Sequence, residues 1–182
     1  MNNLNKTYRF ILNLILLVFI LTSMNMSTGY AQEKDYKAYT LYVYNFMKYI
    51  EWPESESKGD FIIATIGNSP IDNEFKTLAK SKKLKGRNIV FKKYNSVEEI
   101  DNCHLIFIPS KEYATLKNIN SIIKQKSILL VSENEGGAYK GASISFAVND
   151  EDELTFDINR KELENHKLKI SSTLVNLGNV VK

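Results

Sequence analysis

Apolar residues along this chain switch between two periods, and the switches lay out the elements. From Asp35 to Trp52 they recur at helical spacing. With Phe46 at the centre of a wheel of 100° steps, Tyr39, Tyr42, Val43, Tyr49 and Ile50 gather around it, bordered by Ala38. This is a core-facing stripe, and it accounts for most of the rings in "YNFMKYIEWP". Pro53 stops the helix, because a proline disfavours the α conformation of its predecessor. Glu54 to Asp60 is a polar loop. "FIIATIG" (Phe61 to Gly67) is a continuous apolar run, the pattern of a strand buried on both faces of a parallel sheet.

The alternation then repeats. In "NSPIDNEFKTLAKSKKL" Ser69 is the expected cap and Pro70 the first helical residue, with Ile71, Phe75, Leu78 and Ala79 on the apolar face. "GRNIVFKKY" is a second strand. "SVEEI" is a short helix with Ser96 and Glu99 at capping-box spacing. "HLIFIPS" and "SILLVSE" are two more strands, and between them Tyr113, Leu116, Ile119 and Ile123 mark a helix over Lys111 to Lys124. Strand and helix alternating in this way predict a largely parallel sheet with right-handed crossovers. The end differs: "ASISFAVND" and "ELTFDIN" predict a β-hairpin. Ser145, Thr155 and Asp157 read as solvent-side positions, which puts the hairpin at a sheet edge. "RKELENHKL" and "SSTLVNLGNVV" predict two closing helices, the second capped by Ser171 or Ser172. The expected fold is therefore α/β: a single-domain three-layer sandwich, with a mostly parallel sheet of about six strands, helices on both faces and a C-terminal hairpin edge.

Residues 1–31 read as a secretory signal peptide, leaving 32–182 as the folded domain. Lys6 and Arg9 make a basic start, Phe10 to Leu21 is apolar apart from Asn13, and Gly29 and Ala31 precede Gln32 at the small-residue positions of a cleavage site. The run is short for a membrane span, which takes ~20 residues. An uncleaved anchor is the alternative. Of the 24 Lys and Arg, only Lys6 and Arg9 lie in the first 31 residues, which hold no acid. The rest is nearly balanced against 21 Asp and Glu, and no basic stripe points to nucleic acid. Cys103 is the single cysteine, so no internal disulfide can form.

Candidate chemistry is sparse. His104 follows Cys103 at the start of a strand, and adjacent strand residues point to opposite faces, so the two cannot converge on one centre. "GGAYKGAS" (Gly136 to Ser143) has the glycine spacing of a phosphate loop, but Ala142 stands where the lysine belongs and a strand follows instead of a helix. Its three glycines are expected to supply positive φ in a turn. No catalytic set, metal cluster or cofactor motif emerges. Gly67, Asn68 and Ser69 are the candidate ligand-binding residues. They lie at the C-terminal end of a strand and open a helix, where α/β sheets bind anions. Glu133 and Glu135 could add to a rim beside the fourth strand. Leu41, Tyr44 and Trp52 fall outside the core stripe of the first helix, with Lys37 and Lys48 among them. Leu41, Tyr44, Lys48 and Trp52 are therefore the candidate partner or dimer surface. A second layer of the domain, such as the C-terminal helix, could equally cover them, and Trp52 could pack under the loop that Pro53 begins.

Taken in order, "KAYTLYVYNFMKYIEWP", "FIIATIGNSPIDNEFKTLA", "CHLIFIPS", "ILLVSENEGGAYKGASISFAV" and "LTFDINRKELENHKLKISSTLVNLGNVV" resemble the YfiR-like family of exported bacterial proteins. The most specific marks are Asn45, Phe46, Trp52 and Pro53, then Phe156, Ile158, Asn159, Leu168, Ser171, Ser172 and Leu174. The resemblance implies a periplasmic α/β protein, often a homodimer and without enzymatic activity. It implies repression of a membrane-bound diguanylate cyclase through that partner's periplasmic part, relieved by an outer-membrane lipoprotein. Cyclic-di-GMP signalling is the implied setting. Cys103 matches a family cysteine but has no partner here, which removes disulfide control. Lys167 stands where the family has Gly, and Asn165 is the expected substitute if the chain turns left-handed there. A small-molecule module at Gly67, Asn68 and Ser69 is the alternative function.

Overall fold

The computed structural model describes residues 34–181 and, before them, Tyr8, Arg9, Ile11, Leu12, Leu14 and Ile15, which are helical. The expected cleavage point after Ala31 lies outside the described residues. The chain divides into two compact units, Met1–Lys34 and Asp35–Lys182, and the fold below is that of the second.

Asp35 starts it. Its carboxylate accepts from the backbone N–H groups of Lys37 and Ala38, capping helix α1, Tyr36–Tyr49. The helix stops short of the expected Trp52 because Ile50–Glu51 forms strand β1, paired antiparallel with Lys169–Ile170 (β9). Ile50 faces Ile170 and Glu51 faces Lys169 in that register. Pairing with the far end of the chain takes the last helical turn, and Pro53 then prevents any return to helix.

The main sheet has eight strands, not about six. They are β2 (Phe61–Ile66), β3 (Lys83–Leu84), β4 (Arg87–Tyr94), β5 (Leu105–Ile108), β6 (Leu129–Ser132), β7 (Ile144–Val148), β8 (Leu154–Ile158) and β10 (Asn179–Val180). They lie in the order β10-β8-β7-β6-β5-β2-β4-β3. β4, β2, β5, β6 and β7 run parallel to one another; β7 and β8 form the antiparallel hairpin. Helix α2 (Ile71–Ser81) connects β2 to the β3–β4 ribbon, and a 3-10 turn at Ser110–Thr115 leads into α3 (Leu116–Ile122). Helices α4 (Arg160–Asn165) and α5 (Ser172–Val175) follow β8.

Alternate strand residues feed two cores. Phe61, Ile63, Phe107, Val131, Phe146 and Phe156 meet α1 and α2 on one face. Ala64, Ile66, Ile106, Ile108 and Leu130 meet Tyr94, Val97, Leu116, Ile119 and Ile123 on the other. The layers are unequal: α1 and α2 cover the first face, whereas α3 and 3-10 turns cover the second. The first core is aromatic. Phe46 meets Phe156 edge-on at 4.9 Å, and Tyr39 lies 4.4 Å from Phe146. Such ring pairs each contribute ~0.5–1.5 kcal/mol beyond burial.

Four expectations at the C-terminal end are corrected. The hairpin is not the edge, since β10 pairs in parallel outside β8. Only Ser172–Val175 of the expected last helix is helical. Gly178 then lets the chain lie directly on the Phe156 ring, where any Cβ would collide, and the strand follows. Ser145 and Asp157 are buried, not solvent-side. Their polarity is satisfied inside: Ala138 N–H donates to Ser145 Oγ at 3.0 Å, and Asn179 Nδ2 donates to Asp157 Oδ1 at 3.4 Å. Finally, Asn165 stays helical while Lys167 itself takes the left-handed turn, at φ 58°. Lys167 N–H donates to Glu164 O at 2.9 Å and Leu168 N–H to Leu163 O at 2.8 Å, with Leu163 and Leu168 both buried. This is a Schellman cap with its apolar contact, strong enough to hold a lysine where glycine would be free of strain.

The glycine turn before β7 also differs in part. Gly136 and Gly141 have positive φ, but Gly137 does not; a Cβ there would strike the side chains of Ser132 and Ser145. The turn at Ser96 lacks a side-chain cap from Ser96, and Glu99 instead accepts from Asn95 N–H at 2.8 Å.

Candidate functional site

Helix spacing puts Leu41, Tyr44 and Lys48 on one outward side of α1, three and four residues apart. Leu41 is 60% exposed, a large apolar side chain in water between exposed Lys37 and Lys48. Tyr44 is half-buried, and its hydroxyl donates to Lys83 O at 3.0 Å, tying α1 to β3. The β3 ribbon is thus part of the cover over Tyr44. Lys48 Nζ lies 5.9 Å from the Tyr44 ring and 5.4 Å from the Tyr49 ring. Trp52 does not join this face. Carried away by β1, it meets Phe61 edge-on at 5.0 Å.

The strand-end candidates are brought together with residues that the sequence did not single out. The strand order reverses between β2 and β5, so Gly67 sits at the switch point of the sheet, the usual ligand crevice of such folds. Gly67 has φ 67° and donates its N–H to Tyr94 O at 2.8 Å. The Glu112 carboxylate fills the space a Cβ would need. Asn68 Oδ1 accepts from Lys93 Nζ, and Ser69 Oγ accepts from Ile71 N–H at 3.4 Å. Behind them, buried Thr65 donates to Asp72 Oδ1 at 2.9 Å, and Asp72 Oδ2 lies 3.7 Å from Lys93 Nζ. Asp72, Lys93 and Glu112 are thus the unforeseen members. An acid in the first turn after a strand-end glycine is the signal that points to Asp72.

Glu133 is not a rim residue. It is 4% exposed, and it accepts from Tyr36 Oη at 3.0 Å and from Ser110 N–H at 2.6 Å. Burial and the neighbouring Glu133 charge push the Tyr36 hydroxyl up to about 12. Glu135 remains exposed.

Cys103 and His104 point to opposite faces. Cys103 is buried in the second core, and burial pushes its thiol up to about 12. A thiol so far from its thiolate is inert. His104 stacks on Phe61 at 4.5 Å, accepts from Ile62 N–H through Nδ1 at 3.0 Å, and has Arg87 Nη2 3.0 Å from Nε2. Burial and the Arg87 charge lower its pKa. Among the described residues no group of three acids, histidines and cysteines could hold a metal, and no helix is long and apolar enough to cross a membrane.

A family model described as YfiR/HmsC-like matches residues 36–179. The chain belongs to the YfiR/HmsC-like family. The match opens at the first residue of α1 and closes at the first of β10, so the YfiR/HmsC-like unit takes in both the α1 face and the switch point. No curated protein matches the chain.

Proposed function

We propose that this YfiR/HmsC-like chain is a periplasmic regulatory protein, not an enzyme. It binds the periplasmic part of a membrane-bound signalling protein, a diguanylate cyclase or another sensor, and represses or tunes it. The reading rests on the family match over residues 36–179. The observation that gives it a surface is Leu41, 60% exposed at the centre of the outward side of α1 and flanked by lysines. An apolar anchor with a charged rim is the usual anatomy of a transient interface. Tyr44 and Lys48 extend that face; Trp52 packs on Phe61 away from it. Export through a signal peptide cut after Ala31, assembly as a homodimer and release by an outer-membrane lipoprotein complete the proposal. A photo-crosslinking residue at position 41, in living cells, tests the surface. The expected adduct is an inner-membrane protein with a periplasmic sensor domain, absent when the probe sits at Lys117 on the opposite layer. An equal adduct from both positions, or none from position 41, contradicts it.

A second reading, a small-molecule module at Gly67, Asn68 and Ser69, draws on their place at the switch point. Lys93 and Asp72 supply charge there, and a ligand would act by favouring one state of the regulator. A thermal-shift screen of nucleotides, amino acids and inorganic anions checks it, and a flat response in all three counts against it.

A further inference from the structure

One cleft among the described residues lies neither on the α1 face nor at the switch point. It has a volume of about 450 Å³ and opens between Trp52 and the β3–β4 turn. Its floor is apolar: Met47, Ile50, Phe61 and Leu84 line it, and each is buried. One wall is Trp52, whose indole N–H is buried without an acceptor. Leaving a buried donor unpaired costs ~1–3 kcal/mol, and native structures rarely keep one without a reason.

The rim is preorganised. Arg87 donates to the carbonyls of Glu56, Lys58, Gly59 and Asp60 at 2.8–3.1 Å while its guanidinium lies 5.3 Å from the centre of the Phe61 ring. This arginine is a strut for the 54–60 loop, and its Nη2 also lies 3.0 Å from His104 Nε2. Lys85 is the other lining cation. It sits in the two-residue Lys85–Gly86 turn at φ 49°, a strained conformation for a residue with a side chain. Glu51 is the one acid lining the cleft, so the two cations leave its charge positive.

We propose that this cleft binds a small planar apolar molecule carrying a carboxylate. The flat body covers the apolar floor between Trp52 and Leu84. The acid group faces the Lys85 ammonium, and a turn of the indole, whose N–H is closed to solvent here, would bring that donor onto it. The volume fits, since small-molecule sites run to ~300–1,000 Å³ with mostly apolar walls and few polar groups. The site lies beyond the regulator reading and does not depend on it. It would give the molecule a ligand input just behind the α1 face.

Titration calorimetry on the purified protein tests it with 1-naphthoate and 1-naphthylmethylamine, matched in shape and opposite in charge. Trp52 is the chain's single tryptophan, so its fluorescence reports the same site. Naphthoate is expected to bind and perturb that fluorescence, with the amine weaker by about tenfold. Trp52→Phe keeps a ring but loses the donor, and Lys85→Gln keeps the length but loses the charge. Each is expected to weaken naphthoate binding by about tenfold. Lys85→Gln lies on an exposed turn, which keeps the test valid should Trp52→Phe perturb the fold. No heat and no fluorescence change at millimolar naphthoate overturns the proposal. So does binding that survives both substitutions.

Discussion

Lys167 and His104 show at the scale of single residues how this domain tolerates local conflict. Lys167 carries a side chain at φ 58° because the Schellman bonds around it and the Leu163–Leu168 contact outweigh the strain. Lys167→Gly removes that strain and should stabilise the domain by about 1 kcal/mol, read as a higher denaturation midpoint at unchanged slope. His104 is held neutral between Ile62 N–H and Arg87, with a folded pKa lowered from 6.5. The unfolded chain therefore takes up this proton at higher pH than the native one. The stability His104 contributes is complete above about 6.5 and falls as pH drops from there toward the folded pKa. His104→Asn keeps an acceptor for Ile62 N–H and cannot charge. Melts between pH 7.5 and 5 should show a smaller loss for the variant than for the parent. Neither residue's state was legible in sequence. The sequence placed His104 at the start of a strand, and only the fold brings Arg87, 17 residues earlier, to its Nε2.

The elements themselves were largely legible, because the apolar period that sets them is local. The stripe around Phe46 is the face of α1 that packs on Phe146 and Phe156, and the continuous runs became the buried parallel strands. What was not legible depended on partners distant in sequence. The last turn of the expected first helix went to pairing with Lys169–Ile170, and a two-residue strand after Gly178 displaced the hairpin from the edge. Ser145 and Asp157 misled because internal donors partner them where the pattern predicts solvent. The two sides of α1 now make separable predictions. Phe46→Ala empties the centre of the aromatic core and should cost ~3–5 kcal/mol by chemical denaturation. Leu41 is 60% exposed, so Leu41→Asp should change stability by about 0.5 kcal/mol or less. Tyr44 belongs between them: Tyr44→Phe loses one hydrogen bond to Lys83 O, worth about 1 kcal/mol. Leu41 is thus the substitution that separates binding from folding.

The molecule as a whole is an α/β domain of the YfiR/HmsC-like family whose polar groups mostly hold its own structure together. Glu133 anchors Tyr36 and the start of the Ser110 turn; Arg87 fastens the loop before β2; Cys103 lies buried with its thiol suppressed. Three candidate surfaces among the described residues are the Leu41 side of α1, the switch point and the Trp52–Lys85 cleft. The residues of the first two were nominated from sequence, since exposure on a helix and a strand-end glycine are periodic or local signals. The sequence missed the third, whose walls come from α1, β1, the 54–60 loop and the β3–β4 turn. The central claim is that the protein works by contact through α1. Its most direct test is intracellular cyclic-di-GMP in a strain lacking the protein, complemented with the parent or with Leu41→Asp at equal periplasmic abundance. The account predicts a changed nucleotide level in the deletion strain, restored by the parent and not by Leu41→Asp. A level that does not respond to deletion, or full restoration by Leu41→Asp, would contradict it.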